Sequence, residues 1–139
     1  MNVLLVEDNE PERLIMKEAF KEAGTKHDLH MVRDGIEALE FLRMQGVFYG
    51  VPRPDLIILD LNMPRKNGLE VLAEIKKNPK WKHIPVLVLS NSEFTGDICK
   101  CYTLGGNAYL SKPVDFQGFI DLVHVIDMFW FKLVRYCNH

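Results

Sequence analysis

Apolar residues arrive along this chain in two rhythms. Short unbroken runs occur at Val3-Leu4-Leu5-Val6, Leu56-Ile57-Ile58-Leu59 and Val86-Leu87-Val88-Leu89, and runs this short and this apolar predict strands buried on both faces. Between them the apolar positions recur every three or four residues: Ile15, Ala19 and Ala23, then Ile36, Leu39 and Leu42, then Leu69, Leu72 and Ile75. That spacing predicts one-sided helices. Breakers agree with both assignments. Pro11 stands at a first helical position, Gly24 is a natural stop, and Asp34-Gly35 turns the chain into the second helix.

Other segments read more weakly. Asp28 to Val32 is polar for a strand and suits a sheet edge, while Val47 to Pro54, with Gly50, Pro52 and Pro54, reads as an irregular surface loop. A helix from about Glu93 to Leu104 places Ile98, Cys101 and Leu104 inward. It contains Gly96 and ends at Gly105-Gly106, so it is a weak element suited to movement. Asn107 to Ser111 is the last strand. A long final helix is expected from near Asp115 to the neighbourhood of Arg135. Five strands alternating with five helices predict an α/β fold: a doubly wound (βα)5, flavodoxin-like parallel sheet of five strands with helices on both faces. Residues 1–139 are expected to form one such domain, with 126–139 an apolar C-terminal helical extension and no output domain.

Composition narrows the function. The 139 residues suit a single core, and a formal net charge of −2 with scattered lysines and arginines gives no footprint for direct nucleic-acid or membrane-surface binding. No apolar run approaches the length of a bilayer span, which makes a cytoplasmic location the expectation. The three cysteines, Cys99, Cys101 and Cys137, have no framework spacing and read as reduced thiols. Cys99-x-Cys101 and Cys137-x-His139 are off the common zinc spacings, and His27, His30, His83 and His124 lack evident acid–base partners.

The chemistry gathers at the strand ends. In a parallel sheet the carboxyl ends of the strands share one rim, where ligands bind, and here those ends carry Glu7, Asp8, Asp60, Ser90 and Lys112. Three carboxylates on one rim repel, and a hard divalent cation relieves that repulsion. Mg2+ suits one or two carboxylates plus phosphate oxygens, whereas zinc would call for His or Cys. An aspartate beside such a cation can act as a nucleophile toward phosphoryl groups, with Lys112 supplying positive charge and Ser90 a hydroxyl.

Taken together, Glu7-Asp8, Asp60, Asn62-Met63-Pro64, Gly68, Ser90, Tyr109 and Lys112-Pro113 resemble the receiver domain of two-component response regulators, from Val3 to about Val125. The resemblance implies that Asp60 is the phosphoacceptor for a sensor histidine kinase. It also implies an Mg2+ ion bound by Asp8 and Asp60, with Glu7 assisting through water and Asn62 through its backbone carbonyl. Lys112 would contact the phosphoryl group, followed by a cis bond to Pro113, and Ser90 and Tyr109 would form the switch pair. The response would then leave by the face around the fourth helix, last strand and last helix.

Departures from the family pattern matter too. Asn91 follows Ser90 where the family usually has a small residue. The loop before the Asp60 strand and the terminal Met128-Phe129-Trp130-Phe131 resemble the regulators of bacterial phytochrome-type histidine kinases. Successive aromatic residues point in different directions around a helix, so Phe129 and Trp130 are expected to meet a partner, with a homodimer the preferred arrangement. Two alternatives remain open. One is a Mg2+-dependent phosphohydrolase using Asp60, disfavoured because Asn62 stands where the haloacid dehalogenase class carries its second acid. The other is a phosphate-independent scaffold with the same fold.

Overall fold

The structure, a computed structural model, describes residues 1–61, 63 and 66–137. Strands β1 (Asn2–Val6), β2 (Asp28–Val32), β3 (Leu56–Asp60), β4 (Val86–Ser90) and β5 (Ala108–Ser111) alternate with helices α1 (Glu10–Glu22), α2 (Gly35–Arg43), α3 (Gly68–Lys77), α4 (Thr95–Thr103) and α5 (Phe116–Ile126). All neighbouring strands pair in parallel, in the order β2-β1-β3-β4-β5. The expected doubly wound sheet is present.

Strand alternation divides the core in two. Leu4, Val6, Ile57, Leu59, Val86 and Val88 face Leu39, Leu42, Val71, Leu72 and Ile75 of α2 and α3 on one side. Val3, Leu5, Leu56, Ile58, Leu87 and Leu89 face Met16, Phe20, Phe119, Ile120 and Val123 of α1 and α5 on the other. Every residue of β3 and β4 is buried, which is why those strands read as continuous apolar runs. The edge strand β2 is only partly buried, in line with its polar sequence.

The helices start on side-chain caps. Asn9 accepts from the Glu12 amide, Asp34 from the Glu37 amide and Asp115 from the Gly118 amide, and Asn67 and Glu70 form a reciprocal capping box. Helix α4 lacks a side-chain cap and buries only Cys101, so it is held less firmly than the others.

Two expectations need correction. The 47–54 loop is not wholly superficial. It opens with one 3-10 turn at Gly46–Phe48, and Phe48 and Val51 pack against the α2–α3 side of the core. The last helix ends its α-helical course at Ile126 and continues through Asp127–Leu133 with i→i+5 turns, so it stops short of Arg135. The wider turn brings successive side chains closer in direction. Trp130 and Phe131 therefore both pack against the α1–α5 core, while Phe129 stays 48% exposed. The Phe131 ring lies 4.0 Å from that of His27, whose Nε2 meets Asp127 Oδ1 at 2.8 Å. Trp130 thus belongs largely to its own domain, contrary to the expectation that it faces a partner. Among the described residues no helix is long and apolar enough to cross a membrane.

Candidate functional site

Parallel register carries the strand ends to one rim. Val6 lies beside Leu59, Asp60 beside Leu89 and Ser90 beside Ser111, so these strand ends share one rim. The cleft at this rim holds about 230 Å3 and is lined by Glu7, Asp8, Asn9, Glu12, Asp60, Asn91 and Lys112. Glu7, Asp8 and Asp60 each present a carboxylate oxygen within 4.8 Å of the others, Glu7 and Asp60 being buried and Asp8 exposed. The turn after β1 is held by Arg13, whose guanidinium donates to the Glu7 carbonyl at 2.8 Å and the Asp8 carbonyl at 2.9 Å.

One cation faces these acids from β5. The Lys112 amine lies 2.7 Å from Glu12 Oε2, 3.2 Å from Asp60 Oδ1 and 3.4 Å from Glu7 Oε2. Burial pushes the Glu7 carboxyl up to about 8, reinforced by its hydrogen bond with Glu12 and the charge of Asp60, with Lys112 opposing. Burial also raises Asp60, against the pull of Lys112. Burial works in the same direction on Glu12 but loses there to hydrogen bonds from Glu7 and Lys112, which hold it below the usual carboxylate range. For Lys112 burial favours the neutral amine, yet the hydrogen bond to Glu12 and the charges of Asp60 and Glu7 prevail and raise it. The cleft therefore holds more negative charge than one ammonium can offset.

That surplus, presented entirely on oxygen, fits a hard divalent cation. Among the described residues Glu7, Asp8 and Asp60 form the one cluster with metal-binding geometry, and it includes neither a cysteine nor a histidine. Asn62 lies outside the described residues. Gly68 sits against the backbone at the end of β3: a Cβ there would come within 2.4 Å of the Asp60 carbonyl oxygen, so the close seating of α3 against β3 requires a glycine.

Ser90 is buried at the rim, and its Oγ accepts from the Ser92 amide at 3.0 Å. The Tyr109 hydroxyl donates to the Ser92 carbonyl at 2.8 Å, and the Tyr102 hydroxyl receives the Tyr109 amide at 3.0 Å. Ser92 Oγ donates to Asp97 Oδ2 at 2.7 Å, tying the same loop to the first turn of α4. Ser90 and Tyr109 are thus joined through a single residue.

Other sequence expectations fall elsewhere. The Lys112–Pro113 bond is trans, as are all described peptide bonds, which corrects the expected cis bond. Trans is the lower-energy isomer of an X-Pro bond, and Lys112 reaches all three acids with it. Phe129 and Trp130 belong to the C-terminal segment, outside the cleft lining. Cys99 is exposed and Cys101 buried. Three contributors were missed in the sequence: Glu12, Arg13 and Ser92. Glu12 and Arg13 read as ordinary first-turn residues of α1. The available signal was their place in the first turn of the helix that directly follows the Glu7-Asp8 strand end.

The chain matches the family described as response regulator receiver domain over residues 3–124. It is 43% identical over 132 residues to the response regulator Rcp1 of Synechocystis sp., covering 95% of this chain and 90% of that protein. The crystal structure of the Mn2+-bound form of Rcp1 superimposes with a TM-score of 0.89 at 42% identity, covering 99% of both chains. A phosphorylated cyanobacterial phytochrome response regulator, RcpA, gives a TM-score of 0.91 at 41% identity over 99% of this chain and 98% of that one. With this fold, an acid-rich cleft suited to a divalent cation, and matches that span nearly its whole length, the chain belongs to the response regulator receiver domain family of two-component signalling.

Proposed function

We propose that this protein is a phosphorylation-switched regulator in which Asp60 accepts a phosphoryl group from a sensor histidine kinase. The observation that carries the reading is the seating of Asp60: buried at the end of β3, within 4.8 Å of two further carboxylates and 3.2 Å from Lys112. In the transfer, an Asp60 carboxylate oxygen forms a bond to phosphorus as the bond from phosphorus to the kinase histidine nitrogen breaks, and that nitrogen keeps the electron pair. Mg2+ is the cation assigned to the cleft, with Asp8, Asp60 and Glu7 the carboxylates that would hold it. When bound, it screens the charge between the aspartate and the donor's phosphoryl oxygens. Lys112 supplies the remaining positive charge. The protein acts as a phosphoacceptor rather than an enzyme turning over a separate substrate.

The signal leaves by way of Ser92. A Ser90 hydroxyl drawn to the phosphoryl group gives up its bond from the Ser92 amide, and the loop whose carbonyl holds Tyr109 is released with it. That biases the lightly anchored α4 and the position of the Tyr109 ring, a local charge change acting on a two-state element. Asn91, exposed at the mouth of the cleft, narrows the approach of water and so lengthens the life of the acyl phosphate.

The kinase partner is assigned to the phytochrome type, in line with the similarity to RcpA. A homodimer is assigned to the face that carries the exposed Val125, Met128, Phe129 and Leu133. The receiver and the segment from residue 126 onward then form one signalling unit.

The test is incubation with Mg2+ and acetyl phosphate, following intact mass and free phosphate for the parent and Asp60→Asn. An adduct on the parent that is absent from the variant supports the switch. Rapid phosphate release without an adduct favours a phosphohydrolase, and no reaction in either protein favours a scaffold.

A further inference from the structure

Glu12 has no part in the reading given so far, yet it makes the shortest contact to Lys112. Its Oε2 lies 2.7 Å from the amine, against 3.2 Å for Asp60 and 3.4 Å for Glu7. The three protons of the ammonium are thereby shared among three acids on three elements. The pairing spans a hundred residues of sequence and ties the first turn of α1 to the end of β5. Glu12 also lines the mouth of the cleft, where an incoming phosphoryl donor must pass. The backbone places it firmly: Glu12 sits in the first turn of α1, its amide donating to the Asn9 cap and its neighbour Arg13 clamping the Glu7 and Asp8 carbonyls.

We propose that Glu12 is a positioning residue that restrains Lys112 in the resting state and so sets how readily Asp60 is phosphorylated. The inference rests on the reading of Asp60 as the phosphoacceptor. A phosphoryl group on Asp60 brings new anionic oxygens that must recruit the Lys112 amine. To reach them, the amine gives up or weakens its bond to Glu12. Glu12 therefore acts against the modified state in two ways: it holds the cation that state needs, and it adds a negative charge beside the path of an anionic donor. Of these, the hold on Lys112 is the larger, because a charge-assisted hydrogen bond at this distance is about twice as strong as a neutral one, whereas a charge at the solvent-facing mouth is screened.

The experiment compares the parent with Glu12→Gln and Glu12→Asp, using acetyl phosphate and Mg2+ and measuring the rate of adduct formation across donor concentration. In this reaction the Asp60 oxygen bonds to phosphorus while the bond from phosphorus to the acyl oxygen breaks, and acetate leaves with the electron pair. Glu12→Gln keeps the shape and gives up the charge; Glu12→Asp keeps the charge and gives up the reach. Glu12→Gln should form the adduct about fivefold faster than the parent, the rate equivalent of exchanging a charge-assisted hydrogen bond for a neutral one, and Glu12→Asp, which gives up the bond, at least as fast as Glu12→Gln. A second readout is independent of metal and donor: in metal-free, nitrogen-15-labelled protein the Lys112 ammonium resonance should be sharp in the parent and broadened by proton exchange in both variants. Acceleration in Glu12→Gln alone, with Glu12→Asp like the parent, would assign the effect to charge and overturn the restraint. Unchanged or slower adduct formation in both variants would overturn it as well. If the parent itself forms no adduct, it is the phosphoacceptor reading that fails. In that case the ammonium resonance still decides whether Glu12 holds Lys112.

Discussion

Replacing Lys112 with methionine removes the cation paired with Glu7, Glu12 and Asp60 while keeping the unbranched side chain up to Cε. The amine and its two inner partners are well shielded, the Lys112, Glu7 and Asp60 side chains being 8%, 5% and 7% exposed. Breaking a buried pair from one side costs about 3–5 kcal/mol because the remaining charge is left without compensation. The cleft has an escape, since an abandoned carboxyl can take up a proton. Raising Asp60 from its ordinary 3.8 until it stays protonated at pH 7 costs about 4 kcal/mol, and at pH 5 a little under 2 kcal/mol. Those figures cap the penalty at each pH. The sign follows from linkage: without Lys112 the folded state keeps a proton that the unfolded state has released, so stability falls as pH rises from 3.8 through the raised folded value. Urea or thermal unfolding in EDTA should therefore find Lys112→Met destabilised by about 3–4 kcal/mol at pH 7 and by no more than about 2 kcal/mol at pH 5. For a chain of this size the pH 7 penalty corresponds to a fall in Tm of roughly 10–15 °C. An equal penalty at both pH values, or one below about 1 kcal/mol at pH 7, would refute the claim that Lys112 neutralises a crowded acid cluster.

Four further outcomes follow from named contacts. Gly68→Ala should cost about 1–3 kcal/mol in denaturant unfolding and should also weaken Mg2+ binding, because the added methyl group pushes on the Asp60 carbonyl. Tyr109→Phe should cost only about 1 kcal/mol, the value of one hydrogen bond to Ser92, while altering hydrogen exchange in the 91–94 loop and the first turn of α4 in the unphosphorylated protein. Trp130→Ala should lower stability by about 2 kcal/mol, since the ring covers the α1–α5 core. Phe129→Ala should leave stability within about 0.5 kcal/mol of the parent and instead reduce any self-association seen by sedimentation.

The elements most legible in the sequence were those whose environment is uniform. Strands β1, β3 and β4 are buried on both faces, so their apolar runs and the polar residues that end them could be placed before any geometry was known. Convergence of Glu7, Asp8, Asp60 and Lys112 then followed from parallel topology alone. What escaped depends on contacts between residues distant in sequence. Glu12 looks like a helix-start acid until Lys112, a hundred residues away, comes to lie beside it. Ser92 reads as a polar loop residue, although its backbone joins Ser90 to Tyr109. The inward turn of Trp130 escaped for a local reason: a 3.6-residue period sends Trp130 and Phe131 apart, and the i→i+5 turns of 127–133 bring both onto the core while Phe129 stays exposed. Likewise the breakers in 47–54 signalled a loop correctly but could not reveal that Phe48 and Val51 anchor it.

The central claim is that Asp60 carries the phosphoryl group, and identifying the modified residue tests it most directly. After brief reaction with acetyl phosphate and Mg2+, borohydride reduction converts an aspartyl phosphate to homoserine, which peptide mass mapping locates. The account predicts homoserine at position 60, and none there when Mg2+ is withheld or when Asp60→Asn is used. Homoserine at another acid, or none in a protein shown to be folded and metal-loaded, would contradict it.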